Sequence, residues 1–362
     1  MTTTTEAPPR SARPPRSARN KQTNDYFDLA ARAKAAGLME RRVGWYVGRT
    51  LVVAAGLALA FWLLLTLGDT WWQLLVAVLF GVVFTQGAFL GHDAAHQQIF
   101  RSGRRNEWYS RVVANLVVGL SHGWWGRKHN KHHANPNVIG KDGDIATGAL
   151  VFVPGEQTGR TGFLGWVTRR QGWLFFPMLA LFGPVLHANA VQTLATTPEI
   201  KHRGAEAWFL AVRLIGFPTL VLLTLGPVLG ATFMVVQLAV FGLYMGATFA
   251  PNHKGMPLIP KDVKVDFLQR QVLTSRNIRG GRLVDWAMGG LNYQIEHHVF
   301  PRMASVNLRH VRPIVRAFCA ERGISYTETG LFESYGIIVS YLNRVGLGHA
   351  DPMDCPVAAQ YR

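Results

Sequence analysis

Long apolar stretches alternate with strongly basic polar ones along this chain. No Lys or Arg occurs between Thr50 and Phe100, and none between Leu214 and His253. A bilayer crossing needs about 20 predominantly apolar residues, so each gap holds a pair of crossings. The pattern predicts spans over 47–67 and 71–90, joined by Gly68-Asp69-Thr70, with Trp71 and Trp72 where an interfacial aromatic belt belongs. It predicts a second pair over 208–225 and 228–250, turning at Gly226-Pro227. Arg213 sits near one end of its span and is expected to snorkel to the surface. A further apolar segment, 174–194, contains Pro177, Pro184, His187, Asn189 and Gln192. By pattern alone it either spans or lies in the interface.

The flanks read differently. Residues 1–23 are rich in Thr, Pro, Arg and Ala and are expected to form a disordered basic tail. Residues 24–42 read as an amphipathic helix leading to the membrane, or as a plain solvated helix. The membrane domain is expected over 24–345, with a C-terminal tail over 346–362. The polar, basic first 50 residues do not resemble a cleavable signal peptide.

Composition narrows the class. Hydrophobic residues make up 49% of the 362, high for a soluble protein of this size. The formal net charge of +17 fits nucleic-acid binding or the positive-inside bias of a membrane protein. Apart from residues near span ends such as Arg213, the basic residues lie outside the apolar stretches, and no nucleic-acid motif is present, so the membrane reading stands and no nucleic-acid partner is expected. Cys319 and Cys355 lack CxxC spacing and suggest free thiols in an intracellular setting.

The candidate chemistry lies in histidine. Of 13 histidines, eight fall in three groups and one single, each closing or following an apolar stretch. The groups are His92-Asp93-Ala94-Ala95-His96, His129-Asn130-Lys131-His132-His133 and Gln294-Ile295-Glu296-His297-His298; the single is His253. On a helix, residues i, i+3 and i+4 share a face. His92 and His96 are an i, i+4 pair; His129, His132 and His133 are i, i+3, i+4; Gln294, His297 and His298 repeat that spacing. Three convergent imidazole faces plus His253 exceed the needs of one metal, so two metals are expected, and imidazole suits Zn, Cu, Fe and Ni. Taken singly, an interfacial His is more often a hydrogen-bonded group than a ligand. His122, His187, His202, His310 and His349 keep that plainer reading.

Parity places the groups. If His133 and His253 share one side, an even number of spans separates them. The last pair supplies two, so 174–194 must be peripheral or re-entrant. Every basic loop then falls inside, as the positive-inside rule requires. The expected fold is all-α and integral to the membrane: four transmembrane helices in two hairpins, with a helical cytoplasmic cap carrying a histidine-rich dimetal site. Both termini and the metal site are expected on the cytoplasmic side.

The neighbouring acids point off the histidine faces. Asp93 and Glu296 are expected to orient imidazoles by hydrogen bonds rather than to bind metal. Asp142 and Asp144 either do the same or cap the turn after Asn135-Pro136-Asn137. Gln294 holds a ligand-like position with a weak ligand; it binds through water or only hydrogen-bonds. Trp124 and Trp125 either line an apolar tunnel or anchor at the interface. Arg127, Lys128 and Lys131 either hold phosphates or an acidic partner, or simply express the positive-inside bias.

With this order of boxes and spans, the chain resembles the integral-membrane fatty acid desaturases over nearly all of 24–345. The Gln at the head of the third box is similar to the front-end and linoleoyl-CoA desaturase-like branch, including bacterial acyl desaturases. The stretch Asn292-Tyr293-Gln294 to Phe300-Pro301 also reads like that branch. The resemblance implies a di-iron centre held by His92, His96, His129, His132, His133, His253, His297 and His298, with Asn252 beside the last span's ligand. It implies a reaction that consumes O2, two electrons and two protons and yields a cis double bond. The implied substrate is a fatty acyl chain on CoA, lipid or carrier protein. No HPGG haem motif of a fused cytochrome b5 domain is present, which implies an external donor such as a ferredoxin or flavoprotein reductase. The likeness to bacterial enzymes implies a bacterial cytoplasmic membrane.

Two other readings compete. Membrane hydroxylases and alkane monooxygenases also use histidine boxes and iron, but their third box usually has a different spacing. A metal transporter would place its ligands within the spans near the midplane, whereas these groups sit at span ends and in loops.

Overall fold

The computed structural model describes residues 16–348. Most of the expected tails, 1–23 and 346–362, lies outside them. Among the described residues, three helical stretches are long and apolar enough to cross a membrane: Val43–Thr66 (α2), Gln73–Ala95 (α3) and a continuous Arg203–His253. α2 turns Leu51, Val52, Leu59, Trp62 and Leu65 outward, as lipid contact requires. α3 is buried along most of its length and forms the centre of the bundle.

The third stretch comprises Arg203–Ala211 (α9), a π-helical turn over Val212–Gly216 and Phe217–His253 (α10). Its 51 residues would extend about 76 Å if straight, more than twice the roughly 30 Å hydrocarbon layer. Gly226 breaks it, at φ 72° and ψ 174°. A Cβ on Gly230 would lie 3.1 Å from Leu222 Cα, so the two arms fold back on each other. The predicted Gly226-Pro227 turn is therefore present within what looks like one helix. Leu225–Leu229 and Asp69–Trp71 line one cavity of about 340 Å³, so both turns lie at the same end of the bundle.

Residues 174–194 are not one rod. They form Gln171–Leu179 (α7) and Phe182–Thr196 (α8), bent by 72°. The pair sits tightly on α10. A Cβ on Gly242 would meet Gly183 N and Leu179 O at 2.5 Å, and one on Gly246 would meet Leu179 Cδ2 at 2.4 Å. Small residues permit such close backbone approach between apolar helices. Gly242→Ala is expected to destabilise the fold by about 1–3 kcal/mol through overpacking, measured as thermal unfolding in detergent.

Arg213 does not snorkel. It is buried in the π-helical turn, where its Nε donates to Val117 O at 2.9 Å. Its guanidinium lies 4.1 Å from the Phe84 ring centroid and 4.5 Å from that of Phe217. A carbonyl and two ring faces replace water there.

The remaining helices build the cap: Arg16–Ala35 (α1), Gly103–Arg111 (α4), His122–Ala134 (α5), Gly162–Arg169 (α6), Phe267–Leu273 (α11), Arg282–Ala287 (α12), Gln294–Val299 (α13), Ser305–Arg322 (α14) and Leu331–Leu347 (α15). The helix expected over 24–42, leading to the membrane or simply solvated, instead starts at Arg16, within the tail expected to be disordered, ends at Ala35 and packs in the cap. It buries Leu29 and Ala33 with Leu308, Val311, Val315 and Phe318. The cap also departs from an all-α fold: Asn277–Arg279 (β1) and Glu328–Gly330 (β2) pair in parallel, Asn277 opposite Glu328.

Candidate metal centre

Four helices deliver the histidines. α3 supplies His92 and, at its C-cap, His96; α5 supplies His129, His132 and His133; α10 ends on His253; α13 supplies His297 and His298. The predicted helical spacing holds in each box. α5 begins at Ser121, whose Oγ accepts from Trp124 N at 3.1 Å as an N-cap. Ser121 Oγ also donates to the buried Glu206 at 2.6 Å, and Glu206 further accepts from Arg111, Asn115 and Gly123 N. That buried ion pair ties the start of α5 to α4 and α9.

The imidazoles converge as two groups. His92, His96, His129 and His297 place ligand atoms within 4.8 Å of one another, as do His132, His253 and His298. His133 joins the first group, its Nε2 3.0 Å from His129 Nε2. His96 and His129 approach to 2.8 Å, His132 and His253 to 3.3 Å, and His253 and His298 to 3.1 Å, all between Nε2 atoms. Two nitrogens bound to one ion at about 2.1 Å stand roughly 3 Å apart, so these separations are those of shared ligation.

The other ring nitrogens explain why the Nε2 atoms are bare. His92 Nδ1 lies 3.0 Å from Asp93 Oδ1, His132 Nδ1 2.9 Å from Asp142 Oδ2, His253 Nδ1 2.9 Å from Thr274 O and His298 Nδ1 2.9 Å from Gln271 Oε1. Each partner accepts a hydrogen bond, which fixes the proton on Nδ1 and turns the Nε2 lone pair inward. His92 Nε2 and both ring nitrogens of His297 are buried without any hydrogen-bond partner. Lone pairs facing each other in a buried site repel, and a cation between them removes the repulsion. The residues present therefore fit a pair of metal ions.

Burial, reinforced by neighbouring imidazoles, holds His129, His133, His297 and His298 well below the ordinary histidine value. Their neutral, ligating forms persist to lower pH than a solvated imidazole's. Burial opposes ionisation of Asp142, but the hydrogen bond and electrostatic pull of His132, together with the Asp144 N–H, outweigh it and lower the carboxyl. At Asp144, Lys128, His132 and Lys254 likewise outweigh burial.

The acids divide. Asp93 Oδ2 accepts from Tyr46 Oη at 3.0 Å and Ser305 Oγ at 2.6 Å, so a hydrogen-bonded carboxylate backs His92. Asp142 does both things open to it: it backs His132 and accepts from Asn137 N and Asp144 N in the following turn. Asp144 stands farther from His132 Nδ1, at 3.5 Å, and pairs with Lys128. Glu296 does not reach an imidazole. It accepts from Tyr326 Oη at 2.6 Å and Asn277 Nδ2 at 2.7 Å, and burial pushes its carboxyl up to about 7. That network braces α13 against β1 and the segment leading to β2. Gln294 Nε2 lies 2.9 Å from His253 Nε2, and Asn252 Nδ2 donates to Gln294 Oε1 at 3.1 Å.

The tunnel and mouth candidates separate too. Trp125 stacks on His129 at 4.1 Å between centroids and lies 5.3 Å from the His92 ring. Trp124 is buried in the bundle core with Leu120, Leu186 and Phe84. Arg127 is exposed, while Lys128 is committed to Asp144. Tyr46, Gln271, Thr274 and Ser305 were not among the sequence candidates; each reaches the site through a contact distant in sequence and carries no local signal. Asp142→Asn is expected to lower metal affinity about 10–100-fold, read by metal competition with a chelator. Unchanged affinity would show that His132 needs no such support.

Comparison with known proteins agrees with this geometry. The family model described as fatty acid desaturase matches residues 69–330. The Delta(5) fatty acid desaturase fat-4 of Caenorhabditis elegans is 29% identical over 347 residues, covering 90% of this chain and 75% of the relative. The Delta(6)-fatty-acid desaturase fat-3 of the same organism is 28% identical, with the same coverage. The fatty acid desaturase 2-like protein FADS2B of Mus musculus is 30% identical over 296 residues, covering 80% of this chain and 60% of the relative. These relatives are eukaryotic and give the expected bacterial placement no support. The match takes in all three histidine boxes and His253, and the chain belongs to the fatty acid desaturase family.

Proposed function

We propose that this protein is a membrane fatty acyl desaturase that forms a cis double bond with O2 and two electrons at a di-iron centre. His92, His96, His129, His133 and His297 would hold one ion, and His132, His253 and His298 the other, with Gln294 beside the second. The observation that carries the reading is the convergence of eight imidazoles whose outer nitrogens are fixed and whose inner nitrogens face one another. When bound, a pair of redox-active ions supplies the oxidising power that an unactivated C–H bond demands.

The chain's own residues supply the rest. Asp93, Asp142, Thr274 and Gln271 hold the rings in one orientation. The site is roofed by the cap and floored by apolar side chains. The Phe249 ring lies 6.2 Å from His92, and Trp125 and Met245 belong to the same apolar layer. Such walls exclude water and grip a chain that has no polar handle near the reacting carbons.

The Gly226 break and the shared end of both turns support four spans in two hairpins. The 72° bend supports α7–α8 as a re-entrant pair. The basic loops support a cytoplasmic metal site, supplied by an external donor such as a ferredoxin or flavoprotein reductase. The substrate is an acyl chain borne on CoA, lipid or carrier protein. Expression in a host with a defined fatty-acid profile tests this reading. Gas chromatography of the host lipids should show a new cis-unsaturated chain that disappears in the His297→Ala variant. A new hydroxylated chain in its place would overturn it.

A further inference from the structure

α10 carries His253 on a weakened last turn. Pro251 lies inside the helix, two residues before the ligand, and offers no N–H. The carbonyl it would have served, Ala247 O, is met from another helix: Tyr335 Oη of α15 donates to it at 3.0 Å. Two residues past His253 the chain leaves the helix at Gly255, whose φ is 76°. The carbonyls of Pro251, Asn252, His253 and Lys254 therefore lack helical donors, as at any helix C-terminus.

Arg276 answers three of these four. Its Nε donates to Pro251 O at 2.9 Å, and one terminal nitrogen donates both to Pro251 O at 2.6 Å and to Lys254 O at 2.9 Å. Its main-chain N–H donates to Asn252 O at 2.8 Å. Ser334 Oγ of α15 adds a further donor to Pro251 O at 2.9 Å. The fourth carbonyl, His253 O, accepts from Asn137 Nδ2 at 3.2 Å and Met256 N at 3.1 Å.

Arg276 is 1% exposed, and burying a guanidinium is costly unless its donors and its charge are met. These donors end on main-chain carbonyls. Glu333, the acid that acts on Arg276 through space, is exposed and pairs with Arg279 at 3.4 Å. What faces the buried charge directly is the negative end of the α10 dipole.

The segment around Arg276 also reaches the histidines. Thr274 O accepts from His253 Nδ1 at 2.9 Å. Asn277 Oδ1 accepts from Ile295 N, at the start of α13, also at 2.9 Å. Residues 274–277 thus hold the end of α10 and the start of α13 in register. Those helices deliver His253 and His298, whose Nε2 atoms stand 3.1 Å apart. The first group takes no histidine from α10.

We propose that Arg276 is a positioning residue for the second metal ion. By bridging the carbonyls of the last α10 turn, it sets where His253 Nε2 stands between His132 and His298. It acts through His253 and contacts no imidazole itself. The inference rests on the two-ion reading of the histidines.

Iron release to a chelator from full-length, iron-loaded protein in detergent tests it without turnover. Wild type should hold about two irons per chain. In Arg276→Met, which keeps bulk but no donors, one iron should leave about 10–100-fold more readily, while the other leaves as in wild type. Arg276→Lys keeps the charge but cannot bridge two carbonyls; it should loosen the same iron several-fold, and it serves alone if the Met variant does not insert. Ser334→Ala should release both irons as wild type does, because Arg276 still holds Pro251 O. Unchanged release in the Arg276 variants would overturn the proposal. So would equal loosening of both irons, or a lower melting temperature with both irons retained, since either marks a general structural role. A wild-type protein that never holds a second ion would overturn the two-ion reading itself, and this proposal with it.

Discussion

Replacing His253 with alanine is expected to reduce desaturation to background while the protein still inserts in the membrane. Its Nε2 is the meeting point of the second group, 3.3 Å from His132, 3.1 Å from His298 and 2.9 Å from Gln294. With three imidazoles in that group, loss of one leaves two and a weak amide, too few to hold an ion against water. Metal content should fall from about two ions per chain toward about one, since the first group keeps its five histidines. Gln294→Ala should cost far less, because the amide is held by Asn252 and His253 and is a poor ligand. An active His253→Ala protein with full metal content would remove His253 from the centre.

Replacing Glu206 with alanine is expected to have the largest effect on stability. Glu206 is completely buried and faces the Arg111 Nε at 3.2 Å, with Arg111 itself 1% exposed. Removing the acid strands that guanidinium and leaves Ser121 Oγ and Gly123 N without their acceptor. Breaking a buried ion pair from one side costs about 3–5 kcal/mol. Glu107 still pairs with Arg111 at 3.0 Å, but it stands at the rim. The measurement is thermal unfolding in detergent, with metal content recorded alongside. Because Ser121 caps α5, loosening there should also impair metal retention by His129, His132 and His133. A wild-type melting temperature would show that the network is dispensable.

The histidine boxes were legible because their signal is local. Helical spacing alone puts His129, His132 and His133 on one face, and the structure keeps them on α5. Long apolar helices were legible because hydropathy is a sum over many residues; α2 and α3 begin and end within about five residues of the bounds 47–67 and 71–90. Single residues fared worse wherever a distant contact decides. Arg213 reads as a snorkelling cation until Val117 O, Phe84 and Phe217 are seen around it. Glu296 sits next to a ligand in sequence, yet one step along α13 turns it toward Tyr326 and Asn277. Asp142 outranks Asp144 at His132 because the turn after Asn137 folds it inward, which spacing does not encode. Lys128 is adjacent to His129, yet the same turn brings Asp144 to it. Helix α1 joins the cap because its Leu29 and Ala33 find α14, nearly 300 residues away along the chain.

In the proposed reaction, eight histidines hold two irons that remove two hydrogens from an acyl chain. Its most direct test is mass spectrometry of the acyl product from purified protein of known iron content, given a reductase and isotopically labelled O2. The expected result is about two irons per chain and a product lighter by two hydrogens, with no labelled oxygen in the chain. A product carrying labelled oxygen as a hydroxyl, or the same desaturation from iron-free protein, would contradict it.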